Sequence, residues 1–352
     1  MKKILTTVIG VLVAAVTALT ASAQCDWRGS MTPYPLATVT PALPDTLRPV
    51  GIVYVARHGA RYLTSAKKVD KLITLFSGAD CRGDLTERGR RFLRLLNEVK
   101  CRTDGRWGLL DSIGYEEERV LAENMRSRFP AFLHSGTVEA RSTYVPRAIM
   151  TMYTFVYRLA TLSPYLNIVT HEGPATDPLL RFFDTDTVFV SFKNNGAWKS
   201  VYDAYFDREV PLRPAEAMLN THGSLSEKRM REVTMEAYDV LRSLSATGIA
   251  GDPTEYFTAE ELQACWRVSN LAHYLQRSTT RISALPSEAA APLLKRIVAD
   301  IDTIASGRSR ADTRLYFGHA ETLMPLLSLM RVEGCYAPDA AVDDVWRLWD
   351  DS

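Results

Sequence analysis

Short apolar runs separated by longer amphipathic stretches set the pattern of this chain. Gly51-Ile52-Val53-Tyr54-Val55-Ala56 is apolar and β-branched, bounded by glycine and by charge, and reads as a buried strand. Thr86 to Val99 puts Phe92, Leu93, Leu95 and Leu96 on one side and arginines on the other, which predicts an amphipathic helix. A second strand is predicted from Val138 to Val145. Pro146 follows at the first turn of a helix over Arg147 to Leu162, where its missing N–H costs nothing. Leu166 to Thr170 is strand-like. Further on, a helix over Pro292 to Ile304, a strand over Arg314 to Gly318 and a helix over Thr322 to Met330 resume the alternation. Such alternation predicts an α/β fold with a central sheet covered by helices on both faces.

Between these two parts the periodicity changes. From about Asp184 to Leu285 the pattern is helical with polar loops, including Ser226 to Leu244 and Thr258 to Leu275. Residues 184–285 are therefore expected to form a mostly helical insertion walling one side of a cleft, over a core built from 50–183 and 286–352. Residues 24–49, rich in Pro and Thr, read as an irregular leader. Ahead of it, Lys2 and Lys3, the apolar stretch Ile4 to Thr20 and Ala21-Ser22-Ala23 form a secretory signal pattern over 1–23. Cleavage after Ala23 predicts an exported, soluble protein, periplasmic or extracellular. Gln24 is too large for the position before a lipidated cysteine, so Cys25 is not expected to carry lipid.

Composition narrows the partners. The 352 residues carry 42 Lys plus Arg against 41 Asp plus Glu, a formal net charge of +1. Nothing in that balance draws the chain to nucleic acid or to an anionic membrane, and any anion site must be a local arrangement. The 5 cysteines all lie beyond the cleavage point. Export permits disulfides, with at least one thiol left over; Cys81 with Cys101 and Cys265 with Cys335 are the expected pairs. No CxxC or His/Cys cluster suggests structural zinc.

The chemistry concentrates at strand ends. Arg57-His58-Gly59-Ala60-Arg61 follows directly on the first strand, where α/β sheets open a ligand crevice. Two arginines around a histidine supply fixed N–H donors suited to a phosphate group. A histidine so placed can attack phosphorus and split one difficult displacement into two. Taken alone, the same residues could be a solvated basic loop. Two further clusters stand in corresponding places: Arg141-Ser142-Thr143-Tyr144-Val145-Pro146-Arg147 at a strand-to-helix junction, favourable for an anion, and Tyr316-Phe317-Gly318-His319-Ala320-Glu321-Thr322 at another.

With Leu85-Thr86-Glu87-Arg88-Gly89 and Leu179-Leu180-Arg181-Phe182-Phe183-Asp184, these motifs resemble the histidine acid phosphatases of the multiple inositol polyphosphate phosphatase branch, over roughly Gly51 to Met330. The five-residue motif is that family's RHGxR signature. His-Ala-Glu is the form this branch has where most members have His-Asp. Tyr144 and Pro146 depart from the acidic residues common in the family's second motif. The resemblance implies a metal-independent, cofactor-free phosphomonoesterase in which His58 is the nucleophile, Arg57, Arg61, Arg147 and His319 hold the phosphate, and Glu321 protonates the leaving oxygen. It also implies inositol phosphates as small-molecule substrates. Lys67, Lys68 and Arg181 are then candidate contacts to phosphates not being cleaved, although Arg181 could equally pair with Asp184. A broad acid phosphatase acting on sugar phosphates shares every catalytic residue, and an inactive phosphate-binding relative shares the pocket. His134, His171, His222 and His273 match no catalytic position. A monomer is expected. Relatives continue through further strands, so the end at Ser352 suggests a truncation, or a sheet closed in another way.

Overall fold

A computed structural model describes residues 26–35, 46, 48–220 and 224–351. The signal pattern, Cys25 and His222 lie outside them. A four-stranded, wholly parallel sheet runs in the order β1-β4-β2-β3, built from β1 (Ile52–Arg57), β2 (Thr137–Ser142), β3 (Asn167–Glu172) and β4 (Thr313–Gly318). The register pairs Arg57 with Gly318 and Ser142 with Phe317, so β1, β4 and β2 end side by side. β2 stops at Ser142 rather than Val145 because the chain turns there into the helix Pro146–Leu162, whose proline stands in its first turn.

Alternation along the strands sends side chains to two cores. Ala56, Val138, Ala140, Leu315 and Phe317 pack with Phe155, Met152 and Leu159 of the helix Pro146–Leu162. On the opposite face, Val53, Val55 and Tyr316 meet Leu180, Phe182 and Phe183 together with Leu293, Ile297 and Leu326 from the helices Ala291–Ala305 and Ala320–Leu329. Each large apolar side chain so buried contributes about 1.5–3 kcal/mol.

Two long helices were not legible as such. Ala66–Arg82 is capped by Ser65, whose hydroxyl accepts the Lys67 N–H. Ser112–Arg128 is capped by Asp111, which accepts the Gly114 N–H at 2.7 Å. The first of these packs with the expected helix Glu87–Thr103. Between β3 and β4 the described residues build helices and turns, chiefly Thr187–Asn195, Trp198–Glu209, Glu227–Leu241 and Ala259–Arg277, apart from one bridge from Leu219 to Leu85. The last of these helices opens with a reciprocal cap between Thr258 and Glu261. Phe76 and Phe92 share one core with Tyr238 and Trp266, so these helices pack on 66–103 as well as over the sheet.

Both expected disulfides are corrected. Cys81, Cys101, Cys265 and Cys335 are free. Cys81 and Cys101 stand exposed on two different helices, while Cys265 is buried in the helical core, where burial pushes its thiol up. No helix among the described residues is long and apolar enough to cross a membrane. The segment after the final long helix is packed down: Val345 and Trp349 join a core with Leu271 and Tyr274, and Asp351 is buried.

Candidate active site

Because β1 and β4 are neighbours ending at one level, they deliver His58 and His319 to the same place. The His58 N–H donates to the Gly318 carbonyl at 3.0 Å, and the two rings meet edge to face with centroids 5.5 Å apart. His58 Nδ1 lies 2.8 Å from the Gly59 carbonyl oxygen. A carbonyl only accepts, so Nδ1 carries the proton and Nε2 keeps the lone pair a nucleophile requires. Burial holds His58 well below its ordinary pKa, and Arg57, Arg61 and Arg147 add to the effect. The neutral form of the ring is favoured.

His319 is fixed in the opposite sense. Its Nδ1 faces Arg147 Nη2 at 3.4 Å, a group that can only donate, so Nε2–H donates to Thr143 Oγ1 at 3.1 Å. Burial, then Arg147, pushes its pKa down to about 3. His319 precedes the helix Ala320–Leu329, and its own N–H is taken by Thr322 Oγ1 at 3.1 Å.

Arg57, Arg61 and Arg147 gather around His58. Their hydrogen bonds run to the Ser30 carbonyl at 2.6 Å, the Tyr62 carbonyl at 3.0 Å and His319, none of them a carboxylate. Nε of Arg61 and Nε of Arg147 are buried without a partner. Burial, followed by the other two arginines, lowers Arg61 to about 9. Positive charge so concentrated beside a neutral imidazole, with no carboxylate hydrogen-bonded to it, favours an anion.

The loop holding these arginines is braced from below. Glu117 accepts the Ala60 N–H and the Tyr34 N–H, each at 2.7 Å. Thr151 accepts the Gly59 N–H at 3.1 Å. Gly114 lets its helix touch the loop, since a Cβ there would fall 2.2 Å from the Ala60 oxygen. Gly29, with φ +52°, packs on Trp266 and Asp351 where a Cβ would lie 2.6 Å from Asp351 Oδ1, and its neighbour Ser30 is the residue that holds Arg57.

Glu321 lies across the site. Arg277 Nη2 donates to its Oε1 at 3.1 Å. Burial would raise this carboxyl, but Arg277, then its own backbone N–H, His319 and His273, pull it down to about 2. A cavity of about 180 Å³ opens beside it, lined by Arg147, Phe183, Asp184, Phe189, Lys193, Gln276, Arg277 and Glu321.

His58, His319, Arg57, Arg61, Arg147 and Glu321 are thus brought together. The other three candidates do not line this cavity. Arg181 bridges Asp177 at 2.9 Å and Asp184 at 2.8 Å, under the Tyr144 ring. Lys68 pairs with Asp239 at 2.9 Å on the edge of a second cavity of about 400 Å³, and Lys67 is exposed at a helix start. Lys193 and Arg277 were missed in the sequence because nothing marks a cation on an insertion helix as facing a distant strand end.

A parallel sheet with a histidine and its arginines at the strand ends defines a phosphate-handling α/β fold. The chain belongs to the histidine phosphatase superfamily, branch 2, whose sequence model matches residues 50–346. It is 25% identical over 313 residues to human multiple inositol polyphosphate phosphatase 1, an alignment covering 82% of this chain and 63% of that protein. The chain therefore spans less than two thirds of that relative's length. The fold is similar to the multiple inositol polyphosphate phosphatase of Bifidobacterium longum in complex with inositol hexasulfate, with TM-score 0.78 at 15% identity over 92% of this chain and 86% of that one. The phytase from D. castellii superposes with TM-score 0.59 at 16% identity, over 90% and 72% of the two chains.

Proposed function

We propose that this protein is an exported phosphomonoesterase that removes phosphate from inositol polyphosphates through a phosphohistidine. The observation that carries the reading is the neutral His58, its Nε2 lone pair free, set among three guanidinium groups without a carboxylate partner. Arg57, Arg61 and Arg147 hold the non-bridging oxygens of the phosphate being transferred. Nε2 of His58 forms the new P–N bond as the P–O ester bond breaks, and Glu321 gives a proton to the departing alcohol oxygen. Water then attacks the phosphohistidine and passes a proton to the Glu321 carboxylate. Inorganic phosphate leaves and both side chains are restored. The human relative's name and the cations around the cavity support a polyphosphorylated ring as substrate, and the Met1 to Ala23 pattern supports export.

Purified protein is expected to release inorganic phosphate from inositol hexakisphosphate and, when quenched during turnover, to carry an acid-labile, base-stable phosphate. His58→Ala is expected to lose both while keeping its melting temperature within a few degrees. Turnover by His58→Ala above a trace overturns the covalent mechanism.

A further inference from the structure

We infer that Arg277 is a specificity-determining residue: it keeps Glu321 from acting as an acid until a second phosphate of the substrate takes the guanidinium. The inference rests on the phosphomonoesterase reading above and adds to it a condition for leaving-group protonation.

Arg277 closes the helix Ala259–Arg277, and Glu321 lies in the first turn of the helix Ala320–Leu329. Their ion pair of 3.1 Å joins the helical wall of the site to the helix that follows β4. Only part of the guanidinium is engaged, since its Nη1 is buried without a partner. Both residues line the 180 Å³ cavity, and Arg147 and Lys193 bring further positive charge to its wall.

The charged and titratable groups around Glu321 come from every element packed near it. Arg277 and His273 approach from the helical wall and His319 from the strand end; Arg57 ends β1, Arg61 follows it, and Arg147 opens its own helix. Asp184 and Lys193 sit across the cavity. Cations dominate this set, and the carboxyl is held ionised. An ionised carboxyl accepts protons, whereas the first half-reaction requires a donor, because an alkoxide leaves poorly.

A phosphate group entering the cavity resolves the conflict twice over. It offers the guanidinium fork a bidentate partner carrying more charge than a carboxylate, and it sets negative charge beside Glu321, which favours the protonated form. Glu321 then takes a proton from solvent water and delivers it to the alcohol oxygen as the P–O bond breaks. Left as a carboxylate, it accepts one proton from the water that hydrolyses the phosphohistidine and returns it to solvent when the product leaves and the ion pair with Arg277 re-forms, so the balance closes. A substrate with a single phosphate cannot make the exchange. The advantage of a polyphosphate therefore falls on kcat as well as on KM.

The test compares inositol hexakisphosphate, glycerol 2-phosphate and p-nitrophenyl phosphate across pH, using the full chain and its Arg277→Gln and Arg277→Lys variants. In the wild type, kcat on the hexakisphosphate is expected to exceed that on glycerol phosphate by about tenfold or more, with its basic limb at higher pH. In Arg277→Gln, removal of the cation lets Glu321 keep its proton to higher pH, so the basic limb on glycerol phosphate moves up by about one unit. The kcat advantage of the hexakisphosphate is expected to shrink in parallel. Arg277→Lys, which keeps the charge, is expected to keep the limb near its wild-type position. Coincident basic limbs for the two alkyl substrates in the wild type overturn the inference without any variant, as do equal losses on all three substrates in Arg277→Gln with no shift of the limb. Failure of the wild type to release phosphate from any of the three substrates overturns the phosphomonoesterase reading instead.

Discussion

The backbone N–H of His58 donates to the carbonyl of Gly318 at 3.0 Å, carrying the β1–β4 ladder one step beyond the pairing of Arg57 with Gly318. The main chain thus sets how far apart the two histidines of the candidate site stand, and their side-chain hydrogen bonds set how the rings turn. Side-chain changes around them alter their electrostatics more readily than their spacing, and the predictions below separate the two.

Gly114→Ala is expected to disturb the arginine loop directly. The added Cβ would fall 2.2 Å from the Ala60 oxygen and 2.8 Å from the Ala60 nitrogen, both main-chain atoms that cannot swing aside. Overpacking of this kind costs about 1–3 kcal/mol. The loop between Arg57 and Arg61 is the part that must move, and kcat/KM on an aryl phosphate is expected to fall by about tenfold or more. Thermal melts and steady-state kinetics check it; a destabilised protein with wild-type kcat/KM would show that the loop does not yield.

On the proposed mechanism, Arg147 acts on the protonation of His58 as well as on the phosphate. Burial comes first in keeping His58 neutral, and Arg57, Arg61 and Arg147 follow. Removing one of these cations raises the histidine's pKa toward its ordinary value, so the nucleophile becomes protonated at a higher pH. Arg147→Met is expected to move the acid limb of kcat/KM for p-nitrophenyl phosphate upward by about half a unit to one unit. Arg147→Lys, charge intact, is expected to leave that limb in place. Superimposable acid limbs for the Met and Lys variants would remove Arg147 from this role.

Asp351 contributes stability that depends on pH in a definite direction. Burial would raise its carboxyl, but His273, Arg242 and the Trp266 N–H, which donates at 3.1 Å, bring it below the ordinary value. A lowered folded pKa means the contribution is complete above the unfolded value of about 3.9 and is lost as pH falls through the folded one. Asp351→Asn is expected to cost about 3 kcal/mol near neutrality. The gap from wild type should narrow in denaturant melts at about pH 3. A gap of constant size would assign the loss to packing alone.

Features encoded locally were legible in the sequence. The strand over Ile52 to Ala56 is apolar on both faces because both are covered, and Arg57-His58-Gly59-Ala60-Arg61 follows it without a break, so strand, turn and chemistry could be read in a single pass. The helix Ser112–Arg128 could not. Its buried positions include Glu117 and Glu118, which spoil the apolar stripe, and Glu117 is buried because it takes the N–H groups of Ala60 and Tyr34. The helix Ala66–Arg82 is interrupted in pattern by Ser77 and Gly78. Arg277, Lys193 and the Ser30 carbonyl act across long stretches of chain, and no local spacing records such contacts. The expected disulfides failed for the same reason: sequence proximity put Cys81 near Cys101, but the side chains of two packed helices turned both outward.

The hydrogen bond from Arg57 to the Ser30 carbonyl, with Gly29 wedged against Trp266 and Asp351, means that the floor of the proposed active site is assembled from segments far apart in the sequence. Closing a loop that long is an entropic cost met only once most of the native contacts exist. A partly folded chain can own every catalytic side chain and still present a phosphate with an arginine that is not aimed. Competence in this molecule is therefore a property of the finished topology, so turnover itself serves as a sensor that the two distant segments have met.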